Sequence, residues 1–434
     1  MLIFRLAMAM AVAFALLSVA APARATESLD PSFGAGGVSF PGLRGGDVRS
    51  LARGTGGKLV SGGGAEVGNL VARYLSDGAR DPTFGDGDGW FANPAGVSSR
   101  VNAVAVQHSG KILAAGSTRS GNFTLTRYGA DGRGPDPNFG ERYGRTVAIT
   151  GSLGGGAQGL ALRSGGRTVV VGYGIDAHRR YTAKIAAYRA NGRLDRGFGS
   201  GGIVDLRPAV GSAVRIRLVD VETLKSGKIL AAGDLGGHIM VVRRHPDGRP
   251  DRTFGGGDGI VFLGAGRTRA CACSYAIGLE VDRLGRILVA ANATRPRDRQ
   301  AAVLIRLRAD GELDRGFGRR GVARAALGSR FAAKDIARQG NGRILLAGTY
   351  NVLRTGEARV AAVRFLPNGR ADRSFARGGF FMRDFGYEGV AYAALTQHDG
   401  RVVIGGRVNR TPSPFAEAPS IYDTAEVFLI RFLQ

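Results

Sequence analysis

The sequence predicts an all-β fold, a seven-bladed β-propeller of four-stranded blades in which the N-terminal strand closes the last blade. Three observations indicate it. One residue pattern recurs seven times, each copy has room for four short strands, and the first and last copies are incomplete in complementary ways. A single blade cannot bury both of its apolar faces, so copies of this kind stack around an axis.

Three signatures mark the repeats, and each occurs seven times in the 434 residues. The first is Asp-x-x-Phe, with aspartates at Asp30, Asp81, Asp136, Asp195, Asp251, Asp314 and Asp372. The second is glycine followed by lysine or arginine and an apolar run, at Gly57, Gly110, Gly166, Gly227, Gly285, Gly342 and Gly400. The third is an apolar run ending in Asp-Gly or Asn-Gly, and its seventh copy, 428–432, lacks the turn.

Each unit contains four β-rich segments separated by glycine turns. In the second unit they are residues 101–107, 111–116, 123–128 and roughly 139–149. No stretch has a sustained 3.6-residue apolar period, so we expect essentially no helix. The chain starts with a fourth-strand segment, 30–40, and stops after a third strand, 427–433, and these two ends predict the closure of the seventh blade.

Residues 1–25 have the pattern of a Sec-type signal peptide. Arg5 precedes an apolar run over 6–19, and Ala23-Arg24-Ala25 is a small-x-small cleavage site. We therefore expect residues 26–434 to form one propeller domain of seven repeats, with no transmembrane segment after cleavage. The expected location is the periplasm or the cell exterior.

The chain is strongly basic, with a formal net charge of +25 that becomes +23 when Arg5 and Arg24 are removed (25 − 2). Such a surface attracts polyanions. The two cysteines, Cys271 and Cys273, could form a local disulfide or stay as free thiols. The histidines form no metal-binding or nucleophile pattern, and the single Trp90 argues against a quinone-cofactor propeller. We expect no metal and no cofactor.

The units resemble the bacterial delta-60 repeat, a β-propeller-like repeat family. Its pattern is matched most closely by residues 194–202, 110–116 and 127–132, and the resemblance covers nearly all of residues 29–434. It implies a repeat protein with propeller-like packing. It implies no reaction, because that family has no assigned catalytic residues.

Residues shared by every blade are expected to be structural, so functional residues should lie where blades differ. The turns between strands one and two, and between strands three and four, are short and uniform. The other connections vary, and they lie on the opposite face. Anion-binding candidates on this variable face are Arg179, Arg180, Arg295, Arg297, Arg299 and Arg354. The alternative is that exposed loops simply collect an abundant residue.

A second difference lies in the innermost strands, where most blades have small residues. When the units are aligned on the second signature, blades four to six carry four carboxylates, Asp220, Glu222, Glu280 and Asp335. Residues two apart share a strand face, so these four could form an acidic cluster near the axis. Such a cluster could hold a cation or act as a weak candidate for a catalytic acid/base pair. The alternative is ion pairing with Arg215, Arg217 or Lys334.

These observations favour an exported, monomeric binding or scaffolding module. Its expected partner is an anionic polysaccharide, lipopolysaccharide or another envelope polyanion. The alternative is a propeller-type polysaccharide hydrolase or lyase that uses the axial carboxylates. A third possibility is a purely structural envelope protein.

Overall fold

Seven four-stranded antiparallel sheets form a seven-bladed β-propeller. The computed structural model describes residues 28–66, 68–94, 100–118, 120–141, 143–148, 151, 153–207, 214–264, 273–295, 299–325, 327, 330–352, 357–409 and 425–434. Among these residues there are two single-turn 3₁₀ helices, Thr55–Gly57 and Ser164–Gly166, and no α-helix. The predicted fold class is confirmed.

Each of blades 1 to 6 uses four consecutive strands, from the axis outward. Blade 1 contains β2 (Ser50–Arg53), β3 (Leu59–Ala65), β4 (Gly68–Tyr74) and β5 (Trp90–Pro94). Blade 2 contains β6 (Arg100–Val106), β7 (Ile112–Ser117), β8 (Phe123–Tyr128) and β9 (Arg145–Ala148). Blade 3 contains β10 (Gly154–Leu162), β11 (Thr168–Ile175), β12 (Tyr181–Tyr188) and β13 (Ile203–Leu206).

The remaining blades follow the same order. Blade 4 contains β14 (Ile216–Thr223), β15 (Ile229–Leu235), β16 (His238–Arg244) and β17 (Ile260–Leu263). Blade 5 contains β18 (Cys273–Val281), β19 (Ile287–Arg295), β20 (Arg299–Leu307) and β21 (Val322–Arg324). Blade 6 contains β22 (Phe331–Arg338), β23 (Ile344–Asn351), β24 (Ala358–Phe365) and β25 (Phe380–Arg383). Blade 7 combines β26 (Gly389–Thr396), β27 (Val402–Asn409) and β28 (Ala425–Phe432) with β1 (Val38–Ser39).

The two ends of the chain meet in blade 7, as predicted. Strand β1 pairs antiparallel with β28, with Val38 opposite Ile430 and Ser39 opposite Leu429. The first strand of the described residues is therefore the outermost strand of the last blade. This closure gives every blade two neighbours.

The fourth strands are shorter than the sequence predicts. In blade 2 the prediction was residues 139–149, and the strand occupies only Arg145–Ala148. Gly140 and Gly144 both have positive φ angles, 78° and 74°, which are incompatible with a strand. Gly140 instead donates its N–H to the carbonyl of Asn191 in blade 3. The start of this segment is a turn that contacts the next blade.

The hydrophobic core is divided among the blade interfaces. Seven clusters of buried apolar side chains each join two neighbouring blades. The cluster that closes the ring joins Phe33, Leu43 and Leu51 to Val403 and Leu429. Burial of apolar area against both neighbours is the main stabilising contribution in such a stack.

The innermost strands of blades 2 to 7 contain a β-bulge in the same place. The extra residues include Asn102, Gln158, Val219, Lys334 and Tyr392. A bulge interrupts the strict alternation of side chains along the strand. The residue at the bulge and the one after it can therefore both contribute to the wall near the axis.

Candidate functional site

The Asp-x-x-Phe signature forms a latch between neighbouring blades. In blade 4, Arg243 Nε lies 2.6 Å from Asp251 Oδ2, and its guanidinium carbon lies 4.5 Å from the ring centre of Phe254. Lys228, from the second signature, lies 2.8 Å from the same aspartate oxygen. Arg243 also donates a hydrogen bond to the carbonyl of Ala309 in blade 5. The latch thus joins two signatures and two blades.

The same arrangement recurs in five other blades. Its arginine, aspartate and phenylalanine are Arg73–Asp81–Phe84, Arg127–Asp136–Phe139, Arg306–Asp314–Phe317, Arg364–Asp372–Phe375 and Arg431–Asp30–Phe33. Blade 3 differs, because Ala187 stands where the others have the arginine. There Arg163 lies over Phe198 at 6.0 Å, and its charge also acts on Asp195. Asp195 pairs with the exposed Arg189 at 3.5 Å. These repeated charges belong to the framework.

The four carboxylates predicted near the axis do come together on blades 4, 5 and 6. Asp220 accepts hydrogen bonds from the N–H groups of Val221 and of Leu279, at 2.8 and 2.9 Å. Asp335 repeats this with Ile336 and Ala394, at 2.8 and 2.7 Å. In both residues the two carboxylate oxygens bind main-chain N–H groups at the inner edge of the blades.

Glu222 and Glu280 make fewer hydrogen bonds. Glu222 accepts one from the N–H of Val281 at 3.2 Å, and Glu280 accepts one from the N–H of Arg338 at 3.3 Å. Each uses a single oxygen in these bonds. Of the four axial carboxyls, these two have an oxygen available for other chemistry.

The environment disfavours the charged form of all four groups. Burial raises the pKa of Asp220. Burial, reinforced by Glu280 and Asp220, raises the pKa of Glu222 to about 8. Burial raises the pKa of Asp335 to about 8. Burial also raises the pKa of Glu280, to about 7, although the positive charge of Arg338 acts to lower it. At neutral pH the cluster therefore holds protons that isolated carboxyls would release.

The expected alternative, pairing with Arg215, Arg217 or Lys334, does not hold among the described residues. Arg217 pairs with Asp234 at 3.0 Å, and Arg215 lies 5.9 Å above the ring of Tyr181. Arg338, which was not among the predicted partners, acts on both Glu280 and Glu222, and Arg53 also acts on Glu280.

A cationic mouth, comprising Lys334, Arg49, Tyr392 and Arg407, was missed by the sequence argument. The guanidinium of Arg49 lies 4.4 Å from the ring centre of Tyr392, and that of Arg407 lies 5.9 Å from it. Burial, together with repulsion from Arg49, lowers the pKa of Lys334. Lys334 belongs to blade 6 and Arg49 precedes blade 1. These blades are separated by blade 7, so the two charges influence each other across the axis.

The mouth lies on the variable-face side of the axial carboxyls. Inner strands run from the variable connections toward the short turns, and Lys334 precedes Asp335 in β22. Arg49 and Tyr392 occupy the equivalent position in their blades, eight residues before the glycine of the second signature. Arg49 pairs with Asp47 at 2.7 Å, whereas Lys334 has no acidic partner within the described residues.

The structure describes only some of the anion-binding candidates predicted on the variable face. Arg179 and Arg180 lie on the tight connection between β11 and β12, where Arg180 pairs with Asp176 at 2.8 Å and Arg179 is exposed with φ of 60°. Arg297, Arg354 and Cys271 lie outside the described residues, as do the side chains of Arg295, Arg299 and Cys273. The predictions for these residues stay predictions.

Neither a metal-binding cluster nor a membrane-spanning helix is found in the part of the chain that the structure describes. No group of three or more histidine, cysteine, aspartate or glutamate side chains there is placed to hold a metal ion. No helix in the same residues is long and apolar enough to cross a membrane.

Comparisons with known proteins agree with the fold. A family model described as "Domain of unknown function (DUF5122) beta-propeller" matches residues 57–84, 285–317 and 339–375, which supports a β-propeller repeat family. No curated protein matches the chain.

Two solved structures are similar in outline. A glucose dehydrogenase is 12% identical with a TM-score of 0.41, and the match covers 75% of this chain and 94% of that one. A GH43 endo-arabinanase from Bacillus licheniformis is 11% identical with a TM-score of 0.35, and the match covers 76% and 96%. Similarity at this level carries no functional argument.

Proposed function

We propose that the protein is an exported propeller of the delta-60 type that binds an acidic polymer across its variable face, centred on the cationic mouth. The observation that supports this most is Lys334, a lysine beside Arg49 with no acidic partner in the described part of the chain. The proposed ligand class is an acidic polysaccharide or a related envelope polyanion.

The electrostatics of the mouth favour an anion. Burial is the main cause of the lowered pKa of Lys334, and repulsion from Arg49 adds to it. An anionic group bound between the two would remove the repulsion. Tyr392 lies beneath Arg49 and near Arg407, and a cation–π contact of this kind holds a guanidinium in one orientation.

The charge of the whole chain supports the same partner. A formal net charge of +25 raises the local concentration of any polyanion near the surface. Six latches neutralise part of the arginine within the framework. Cations that differ between blades, such as Lys334 and Arg179, do not belong to a latch, and we assign ligand binding to them.

The test is binding of the mature protein to polygalacturonate, with dextran as the neutral polymer. We expect saturable binding to polygalacturonate that falls about tenfold between about 50 mM and about 300 mM NaCl, because screening weakens exposed charge pairs. We expect no binding to dextran. Lys334→Gln should weaken polygalacturonate binding by about fivefold without changing the melting temperature by more than about 2 °C. Equal binding to both polymers would contradict the proposal.

A second candidate is a hydrolase or lyase for such a polymer, with Glu222 and Glu280 as the acid/base pair. The observation that favours it is that both carboxyls have a spare oxygen and pKa values of about 8 and about 7, suited to proton transfer near neutral pH. The test is release of reducing ends from polygalacturonate. Activity that survives Glu222→Gln and Glu280→Gln together would remove these residues from the chemistry.

A further inference from the structure

Seven residues surround the propeller axis on the variable face, and we call them the axial ring. Each lies eight positions before the glycine of the second signature, and in blades 2 to 7 each lies at a β-bulge of the innermost strand. The cationic mouth contributes three members, Arg49, Lys334 and Tyr392. The other four are Asn102, Gln158, Val219 and Ile277.

The ring residues face the opening at the axis. All seven keep solvent-accessible surface, whereas the residue before each of them in the sequence is buried. A bulge residue has no direct partner in the next strand, so its side chain can leave the face of the blade. Because the innermost strands border the axis, accessible side chains at this place line the opening.

On blades 6, 7 and 1 the ring is cationic. The guanidinium of Arg49 lies 4.4 Å from the ring centre of Tyr392 in the neighbouring blade, and Arg49 Nε lies 2.7 Å from Asp47. Burial and repulsion from Arg49 lower the pKa of Lys334, so the charge of Arg49 reaches Lys334 across blade 7. Asp47 neutralises one charge, and Lys334 leaves this sector positive. The sector can hold one carboxylate.

On blades 2 and 3 the ring carries amides. Asn102 donates from Nδ2 to the carbonyl of Ala157 at 2.7 Å, and Gln158 donates from Nε2 to the same carbonyl at 3.2 Å. This shared acceptor holds the two amides side by side. A primary amide has two N–H groups and a carbonyl oxygen, so each side chain has further groups that can bind a hydroxyl.

On blades 4 and 5 the ring is apolar. Val219 packs against the cluster between blades 4 and 5, and Ile277 packs against the cluster between blades 5 and 6. Both residues remain partly exposed. Their exposed surface can cover the C–H groups of a ligand and remove apolar area from water.

These three sectors match the groups of a sugar acid, which combines one carboxylate with several hydroxyls and with C–H groups on its ring. The sectors surround the axis, so a residue that contacts all three must enter along the axis. An interior residue of a polysaccharide is bonded on two sides, and both of its neighbours would have to leave through the same opening. A terminal residue has only one neighbour.

We infer that the axial ring binds the terminal sugar acid of an acidic polysaccharide. The carboxylate binds the cationic sector, the hydroxyls bind the amides, and the C–H groups pack on the apolar sector. This inference rests on the proposed function and adds which part of the polymer is recognised.

The test is calorimetric titration of the full-length mature protein with oligogalacturonates of about 3 and about 15 residues, compared per chain. We expect one protein per chain for both lengths and affinities that agree within about twofold, because each chain offers one such end. Several proteins on the longer chain would overturn the inference and leave the proposed function intact. No binding to either length would overturn both.

Variants test the two uncharged sectors without changing the net charge. Asn102→Leu should weaken binding of the short oligogalacturonate about fivefold, and Val219→Thr, which keeps the side-chain shape, about threefold. The control is Asn351→Leu, an exposed residue at the end of β23 on the same face, which should leave binding unchanged. Thermal melts identify any misfolded variant. Full binding by Asn102→Leu and Val219→Thr, with a loss in Lys334→Gln, would show that charge alone recognises the polymer and would refute the ring.

Discussion

Two sets of carboxyl groups link neighbouring blades, one in the latches and one at the axis, and their surroundings act in opposite directions. In the blade 4 latch, burial alone would raise the pKa of Asp251, but hydrogen bonds from Lys228, Thr253 and Arg243 hold it below its usual range. At the axis, Glu222 is also buried, yet its charged neighbours include Glu280 and Asp220, and its pKa rises to about 8. The surroundings of the latch aspartate favour its ionised form, and those of the axial glutamate favour its protonated form.

The difference distinguishes residues that stabilise every blade interface from residues that are specific to a few blades. The latch recurs in six blades because every interface needs the same link. The axial carboxyls occur on three adjacent blades only, and serine, alanine or glycine occupies the corresponding positions elsewhere in most blades. A feature that six interfaces share contributes stability, whereas one confined to part of the ring makes that part chemically distinct.

The largest effect should come from breaking one latch. Asp251→Ala leaves Arg243, which is 8% exposed, without its carboxylate. We expect a loss of about 3 kcal/mol in the free energy of unfolding, since removing one partner of a buried pair leaves an uncompensated charge. Chemical denaturation measures it.

The matched control is Asp195→Ala in blade 3, where the latch arginine is absent. Asp195 pairs with Arg189, whose side chain is 58% exposed. The expected loss is below about 1 kcal/mol, as for surface ion pairs. Equal losses for the two aspartates would show that the aspartate stabilises its own turn and that the latch adds nothing.

The second effect is a dependence of stability on pH with opposite signs in the two regions. Folded Glu222 and Glu280 keep their protons up to about pH 8 and 7, whereas unfolded glutamate ionises near pH 4.3. Between these values the folded state binds more protons than the unfolded state, so stability falls as pH rises from about 4.3 and levels off above about 8. The latch aspartates, with lowered pKa values, lose their contribution only as pH falls below about 4.

The double variant Glu222→Gln, Glu280→Gln mimics the protonated pair and should flatten the decline between about pH 4.3 and pH 8. We expect it to be more stable than the wild type by several kcal/mol at pH 9, with a much smaller difference at pH 5. Urea melts across pH measure both. A decline of unchanged slope in the variant would place the responsible groups elsewhere.

A smaller effect than that of Asp251→Ala should come from Arg163, which replaces the latch arginine over Phe198 in blade 3. It has a longer cation–π distance, 6.0 Å against 4.5 Å in blade 4, and one hydrogen bond to the carbonyl of Pro246. Arg163→Ala should cost about 1 kcal/mol. A loss as large as that of Asp251→Ala would mean that blade 3 has an equivalent latch of different composition.

Much of this arrangement could be predicted from the sequence, for a physical reason. Repetition specifies the blades, because each signature supplies a turn or a latch that every interface requires. The clustering of Asp220, Glu222, Glu280 and Asp335 followed from strand alternation and from the order of the blades. Their partners did not follow, because main-chain N–H groups at the inner edge leave no signature in side-chain identities.

The cationic mouth could not be found by alternation, because the β-bulge breaks the alternation at that point. A signal was nevertheless present. Among the residues eight positions before the second-signature glycine, only Arg49 and Lys334 carry charge, whereas the other five blades have Asn102, Gln158, Val219, Ile277 and Tyr392.

The most direct test of the account compares two charge reversals of equal size, Lys334→Glu at the mouth and Lys225→Glu in a short turn on the opposite face. Both variants have the same net charge. The measurement is the affinity of each for polygalacturonate at one salt concentration. We predict a loss of at least about tenfold, or about 1.4 kcal/mol, for Lys334→Glu and a change below about twofold for Lys225→Glu. Equal losses would show that net charge alone attracts the polymer, and would contradict a binding site at the mouth.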